Sequence, residues 1–207
     1  MGIGNGYNGA NMRQLAFGGS FNPIHNAHLI CARAIAEAGG FDKVVLIPSA
    51  QPPHKPNAPD LAAAEDRLAM CRLAASSQEC LFEVDDVELA RGGSSYTIDT
   101  VRLLKQRGWE EVHWLIGADM LRQLPTWHQP DDLLREMKFA IIERPGWGID
   151  WAAMPDPYRS LRQSVWKAPA IDISATDIRR RVAAGLSIEF LTTPFVIEYI
   201  RAHRLYR

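Results

Sequence analysis

The chain has 207 residues, 47% of them hydrophobic, with 23 Lys and Arg against 24 Asp and Glu for a net charge of −1. That suffices for one ordinary α/β domain with a substantial core, and the charge balance argues against non-specific binding to nucleic acid, so positive charge for an anionic ligand must be local. Three unpatterned cysteines, no apolar run near the roughly eighteen residues that span a bilayer, and a leader without the apolar stretch of a secretory signal point to the cytoplasm and to no membrane partner.

Residues 1–13 read as a flexible leader and residues 14–207 as a single domain. Gly4-Asn5-Gly6-Tyr7-Asn8-Gly9 matches G-x-G-x-x-G, but it precedes every predicted strand and lacks hydrophobic periodicity, which rejects a dehydrogenase on that basis. Leu15-Ala16-Phe17 reads as a buried strand and Leu29 to Ala38 as an apolar helix stopped by Gly39-Gly40. The intervening Gly18-Gly19-Ser20-Phe21-Asn22-Pro23-Ile24-His25-Asn26-Ala27-His28 therefore lies at a strand's carboxyl end, where open α/β sheets bind ligands. Glycines there let the backbone turn and bring main-chain amides close to an anion. His25 and His28, three apart, share one face of a first helical turn, where free amides already favour negative charge. A zinc reading of H-x-x-H is disfavoured: the pair encloses no glutamate, and Cys31, Cys71 and Cys80 have no C-x-x-C spacing. This is a phosphate-handling site.

Val44 to Ile47 reads as a second strand, and Gln51-Pro52-Pro53-His54-Lys55-Pro56 as a stiff exposed loop. Leu61 to Ala75 has helical spacing, with Leu61, Ala64, Leu68 and Cys71 on the apolar side and Glu65, Asp66, Arg67 and Arg72 largely elsewhere. Strands follow at Leu81–Val84, 112–116 and 139–142, with a helix over Thr97 to Arg107. Ala170 to Ile173 reads as the last strand, Ser174 to Ala184 as a helix, and Thr193-Pro194 as the cap and first turn of a helix through His203. Strands alternating with helices imply parallel pairing, hence a doubly wound, Rossmann-like three-layer α/β sandwich with a mostly parallel sheet and a small C-terminal helical part.

Ile173-Ser174-Ala175-Thr176-Asp177-Ile178-Arg179 places a hydroxyl at a helix start with Asp177 as a capping-box-like partner. Read blandly, it is an N-cap followed by a solvated basic face. Read as a second phosphate clamp, Ser174, Thr176 and Arg179 hold one end of a triphosphate shared between two helix N-termini.

Together the two segments resemble the nucleotidylyltransferase superfamily with the H-x-G-H signature. Pro52-Pro53-His54-Lys55, Gly93 to Thr100, Ile116-Gly117-Ala118-Asp119, Leu124-Pro125-Thr126-Trp127-His128 and Arg144-Pro145-Gly146 make residues 15–207 similar to the bacterial nicotinate-nucleotide adenylyltransferases. The resemblance implies attack by the phosphate of nicotinate mononucleotide on the α-phosphorus of ATP, with Mg²⁺ bridging phosphate oxygens and no metal ligated by the protein. Its ATP site comprises Gly18, Gly19, Ser20, Phe21, His28, Ser174, Thr176 and Arg179, with His25, His28 and Arg179 catalytic. Lys55, Tyr96, Thr97, Asp119, Trp127 and His128 fall to the acceptor side, Trp127 offering a flat face for the pyridine ring. The sequence departs from the pattern at Ala27 (usually glycine), Asn22 (often aspartate) and Ala175 (often serine). A methyl at Ala27 is the smallest intrusion, and activity is expected to survive. Alternatives are an adenylyltransferase for nicotinamide mononucleotide or phosphopantetheine, or a non-catalytic nucleotide-binding module; a homo-oligomer is left open.

Overall fold

The structure, a computed structural model, describes residues 12–53, 58–143 and 148–207. Strand β1 (Gln14–Gly19) leads to helix α1 (Asn26–Gly39), β2 (Lys43–Pro48), α2 (Ala64–Ala75) and β3 (Phe82–Val84). Helices α3 (Val87–Arg91) and α4 (Thr97–Gln106) precede β4 (His113–Gly117), and α5 (Ala118–Leu121) and α6 (Pro130–Glu136) precede β5 (Lys138–Glu143). Strand β6 (Val165–Lys167) is followed by α7 (Ala175–Ala183) and α8 (Pro194–Ala202).

The six strands are all parallel, in the order β3-β2-β1-β4-β5-β6. The chain winds outward from β1 to β3, then restarts at β4 on the other side of β1, so the halves part at the carboxyl ends of β1 and β4. Helices cover both faces, which is why the strands read as continuous apolar runs. Alternating side chains divide the core in two. Leu15, Val44, Leu46, Leu115 and Ile142 pack with residues of α1, α2, α7 and α8. Ala16, Val45, Ile47, Trp114, Ile116 and Ile141 pack with residues of α3, α4 and α6. The doubly wound architecture is the expected one, and α7 and α8 belong to its first helical layer.

Local expectations needed correction in three places. The last strand is Val165–Lys167, where Val165 pairs with Ile141, while residues 168–174 run outside any ladder; Pro169 lacks the donor a ladder requires. Helix α2 begins at Ala64 rather than Leu61, and just ahead of it the N–H of Ala62 donates to Oδ1 of Asn22 at 3.0 Å. Its Arg67 is only 1% exposed, not on the polar side. At α8, Thr193 is the N-cap and Pro194 the first residue, as expected, but the cap is made without a side-chain bond; the neighbouring Thr192 hydroxyl donates to the carbonyl of Ile24 at 2.8 Å, tying α8 to the turn before α1. The Gly4–Gly9 segment lies outside the described residues.

Candidate active site

His25 is the N-cap of α1 and His28 its third residue. The main-chain N–H of His25 donates to Nδ1 of His28 at 3.2 Å, so in the neutral His28 ring the proton sits on Nε2. The imidazoles stack, with centroids 3.5 Å apart and planes 20° from parallel. His25 is buried at 3% exposure, and the ring of Phe21 meets His28 edge-on at 5.3 Å. Ala27 is 5% exposed, so its methyl scarcely faces the open side of the turn.

The glycines act differently from the turn-making role expected of them. A Cβ on Gly18 would lie 2.3 Å from Cζ2 of Trp114, so aromatic packing demands glycine there, while one on Gly19 would sit tightly, 3.2 Å from the Phe21 ring. The left-handed backbone falls on Phe21, with φ of 44°, an unfavourable conformation for an aromatic residue.

The second motif arrives beside the first. Ser174 caps α7, its Oγ accepting from the N–H of Asp177 at 3.1 Å, whereas the Asp177 carboxylate accepts from Arg180. Arg179 crosses to the β1–α1 turn: Nη1 donates to the carbonyl of Asn22 at 2.9 Å, Nε to Oδ2 of Asp60 at 2.8 Å, and Nη2 to the same carboxylate oxygen and to Thr176 Oγ1. Asn22 is a hub, its Nδ2 donating to the carbonyl of Asp60 at 2.8 Å and its Oδ1 accepting from Ala62 N–H and, at 2.8 Å, from the Tyr206 hydroxyl. An aspartate there would set a carboxylate oxygen against the Asp60 carbonyl. The side chains of Thr176 and Arg179, Tyr206 and residues 59–62 line one cleft of about 500 Å³.

The residues expected on the acceptor side are placed individually. Tyr96 and His128 bring their rings to 4.3 Å, and Thr97 opens α4. Trp127 is half-buried against the second core, so it serves packing at least in part. The Asp119 carboxylate folds back over Gly117, where a Cβ would lie 2.3 Å from Oδ1. Lys55 lies outside the described residues, as does Arg144-Pro145-Gly146.

Arg67, Asn22, Asp60 and Tyr206 complete the site's frame. Arg67 was legible in one respect: with Cys71 and Ala74 it follows the i, i+4, i+7 spacing of the buried stripe. Behind it, Ser95 Oγ accepts from the N–H groups of Ala50 and Gln51, and buried Glu88 accepts from Thr100 Oγ1 at 2.7 Å. Burial raises the Glu88 carboxyl above the usual carboxylate range, against the pull of the Ser95 and Thr100 hydroxyls.

Strand order and a turn of this kind at the switch point define a doubly wound nucleotide-binding α/β protein. The chain belongs to the cytidylyltransferase-like family, whose model matches residues 16–181, and within it to the nicotinate-nucleotide adenylyltransferases. It is 40% identical over 192 residues to the "Probable nicotinate-nucleotide adenylyltransferase" of Roseiflexus sp. (strain RS-1), covering 92% of this chain and 96% of that one. Its likeness to the protein of the same name from Herpetosiphon aurantiacus is 42%, covering 91% and 96%. The solved Plasmodium falciparum nicotinic acid mononucleotide adenylyltransferase complexed with NaAD superposes with a TM-score of 0.74 at 19% identity, covering 94% of this chain and 97% of that one, which shows a shared fold.

Proposed function

We propose that the chain transfers the adenylyl group of ATP to nicotinate mononucleotide, giving deamido-NAD and pyrophosphate, as a cytoplasmic step of NAD biosynthesis. One observation carries the reading beyond the likeness to relatives: Arg179 bonds the carbonyl of Asn22, 157 positions away, so that both phosphate motifs meet at one turn.

In this reaction a phosphate oxygen of the mononucleotide forms a bond to the α-phosphorus, and the bond to the bridging oxygen breaks, with pyrophosphate taking the electron pair. Positioning and charge stabilisation suffice. Nε2–H of His28 donates to the phosphates, the stacked His25 fixes that ring, and Arg179 with the first-turn amides of α7 holds the triphosphate. Tyr96, Thr97, Asp119, Trp127 and His128 receive the acceptor, and Lys55 reaches a phosphate as a point charge. Among the described residues no group of three His, Cys, Asp or Glu side chains could cage a metal. Mg²⁺ accompanying ATP would supply charge neutralisation on the phosphates.

Among the described residues, no helix is long and apolar enough to cross a membrane. Purified protein with ATP and Mg²⁺ is expected to release pyrophosphate far faster with nicotinate mononucleotide than with nicotinamide mononucleotide or phosphopantetheine. Equal rates would defeat the acceptor assignment, and no release with any acceptor would leave a non-catalytic nucleotide-binding module.

A further inference from the structure

Arg67 projects from the first turn of α2 into the interior. Nε donates to the carbonyl of Ala62 at 3.0 Å, Nη1 to the carbonyl of Ser20 at 2.8 Å and to Ser49 Oγ at 3.4 Å, and Nη2 to the carbonyl of Ala50 at 3.1 Å. Every one of these acceptors is neutral. Among the described residues no carboxylate hydrogen-bonds the guanidinium: buried Glu88 accepts from Thr100 and, like Glu65, acts on Arg67 only through charge at longer range. A buried cation without an ion-paired carboxylate is costly to keep, and a chain of net charge −1 has ample carboxylates that could have neutralised it. The charge is intelligible where an anion is to be received. Its bonds also reach the relevant places: Ser20 directly precedes the strained Phe21, and Ser49-Ala50 follows β2 on the same sheet edge.

We propose that Arg67 is a positioning residue of the nucleotide site, holding the β1–α1 turn through Ser20 and supplying fixed positive charge beneath it. The proposal rests on that turn being the triphosphate site. With Arg179 on the carbonyl of Asn22, guanidinium groups engage two alternate carbonyls of the turn, whose oxygens would otherwise repel phosphate. The effect is felt more by a triphosphate than by the acceptor's single phosphate.

The test is calorimetric binding of inorganic tripolyphosphate to the wild-type chain, Arg67→Lys and Arg67→Met, with substrate kinetics alongside. Arg67→Lys is expected to stay within about threefold of wild type, and a folded Arg67→Met to bind at least about tenfold more weakly, the range for losing a charged hydrogen-bonding group. KM for ATP should rise by a similar factor while KM for the mononucleotide stays within about twofold. Unchanged tripolyphosphate affinity in Arg67→Met, or equal rises in both KM values, would overturn the proposal. If Arg67→Met does not fold, Arg67→Lys decides alone: retention upholds the charge role and a tenfold loss in the folded variant ends it. No binding to wild type would remove the phosphate site itself, and this proposal with it.

Discussion

In the proposed reaction His28 would perform two jobs with one ring, accepting from the His25 N–H and donating to phosphate, and substitution can part them. Asparagine at position 28 keeps an acceptor near the place of Nδ1 for the His25 N–H but loses Nε2. His28→Asn is therefore expected to melt within a few degrees of wild type while kcat falls by about 10²- to 10³-fold, the usual loss for one transition-state donor. His25→Ala is a poorer probe, because a stacked imidazole at 3% exposure also fills space, and both melting temperature and turnover should fall. Asp60 occupies the guanidinium that the triphosphate would use. Since it is half-exposed, Asp60→Asn should lower KM for ATP only two- to fivefold, from a contact worth about 0.5–1 kcal/mol; an increase would show that Asp60 aims Arg179 instead. The meeting of the two motifs could be anticipated because the glycines with their paired histidines and the Ser-x-Thr-x-x-Arg spacing both suit an anion, and the structure brings Arg179 to the turn that carries His25. Asn22, Asp60 and Tyr206 could not, since each works through a partner far along the chain.

The turn between β1 and α1 owes its shape to packing across elements. Gly18→Ala would drive a methyl into Trp114 of β4, and overpacking of this kind costs about 1–3 kcal/mol. The expected result is a lower urea midpoint with unchanged slope, partly restored by combining Gly18→Ala with Trp114→Leu. No local rule could have found this pair, because the clash exists only once β1 and β4 lie side by side. Long periodic elements such as α1 and α4 were readable from hydrophobic spacing and glycine stops, and β2 from its continuous apolar run. Helices α3, α5 and α6 are 5, 4 and 7 residues long, too short for a period to emerge. The edge strand β6 has three residues and was displaced in the reading by the more apolar Ile171 and Ile173, of which Ile173 packs against the first core without joining the sheet.

Over the whole molecule, buried and surface carboxylates give stability opposite slopes with pH. Burial raises Glu88 in the fold, so the stability tied to its protonated form is lost as pH climbs from about 4.5 through the folded value. Hydrogen bonds from Lys138 and Arg102 lower Glu111 and Glu136, whose contributions are present above about 4.5 and lost as pH falls. Glu88→Gln should therefore flatten the dependence of the urea midpoint above pH 4.5 and leave the acid limb alone. The doubly wound topology itself was legible, because strand–helix alternation leaves few ways to close a parallel sheet. What alternation could not reveal is that the Tyr206 hydroxyl reaches Asn22, 184 positions earlier. This latch has a consequence for synthesis. A nascent chain displays the paired histidines early, but the turn that carries them gains this tether only after residue 206 has cleared the ribosomal tunnel, so nucleotide affinity should mature only once that residue is free to dock.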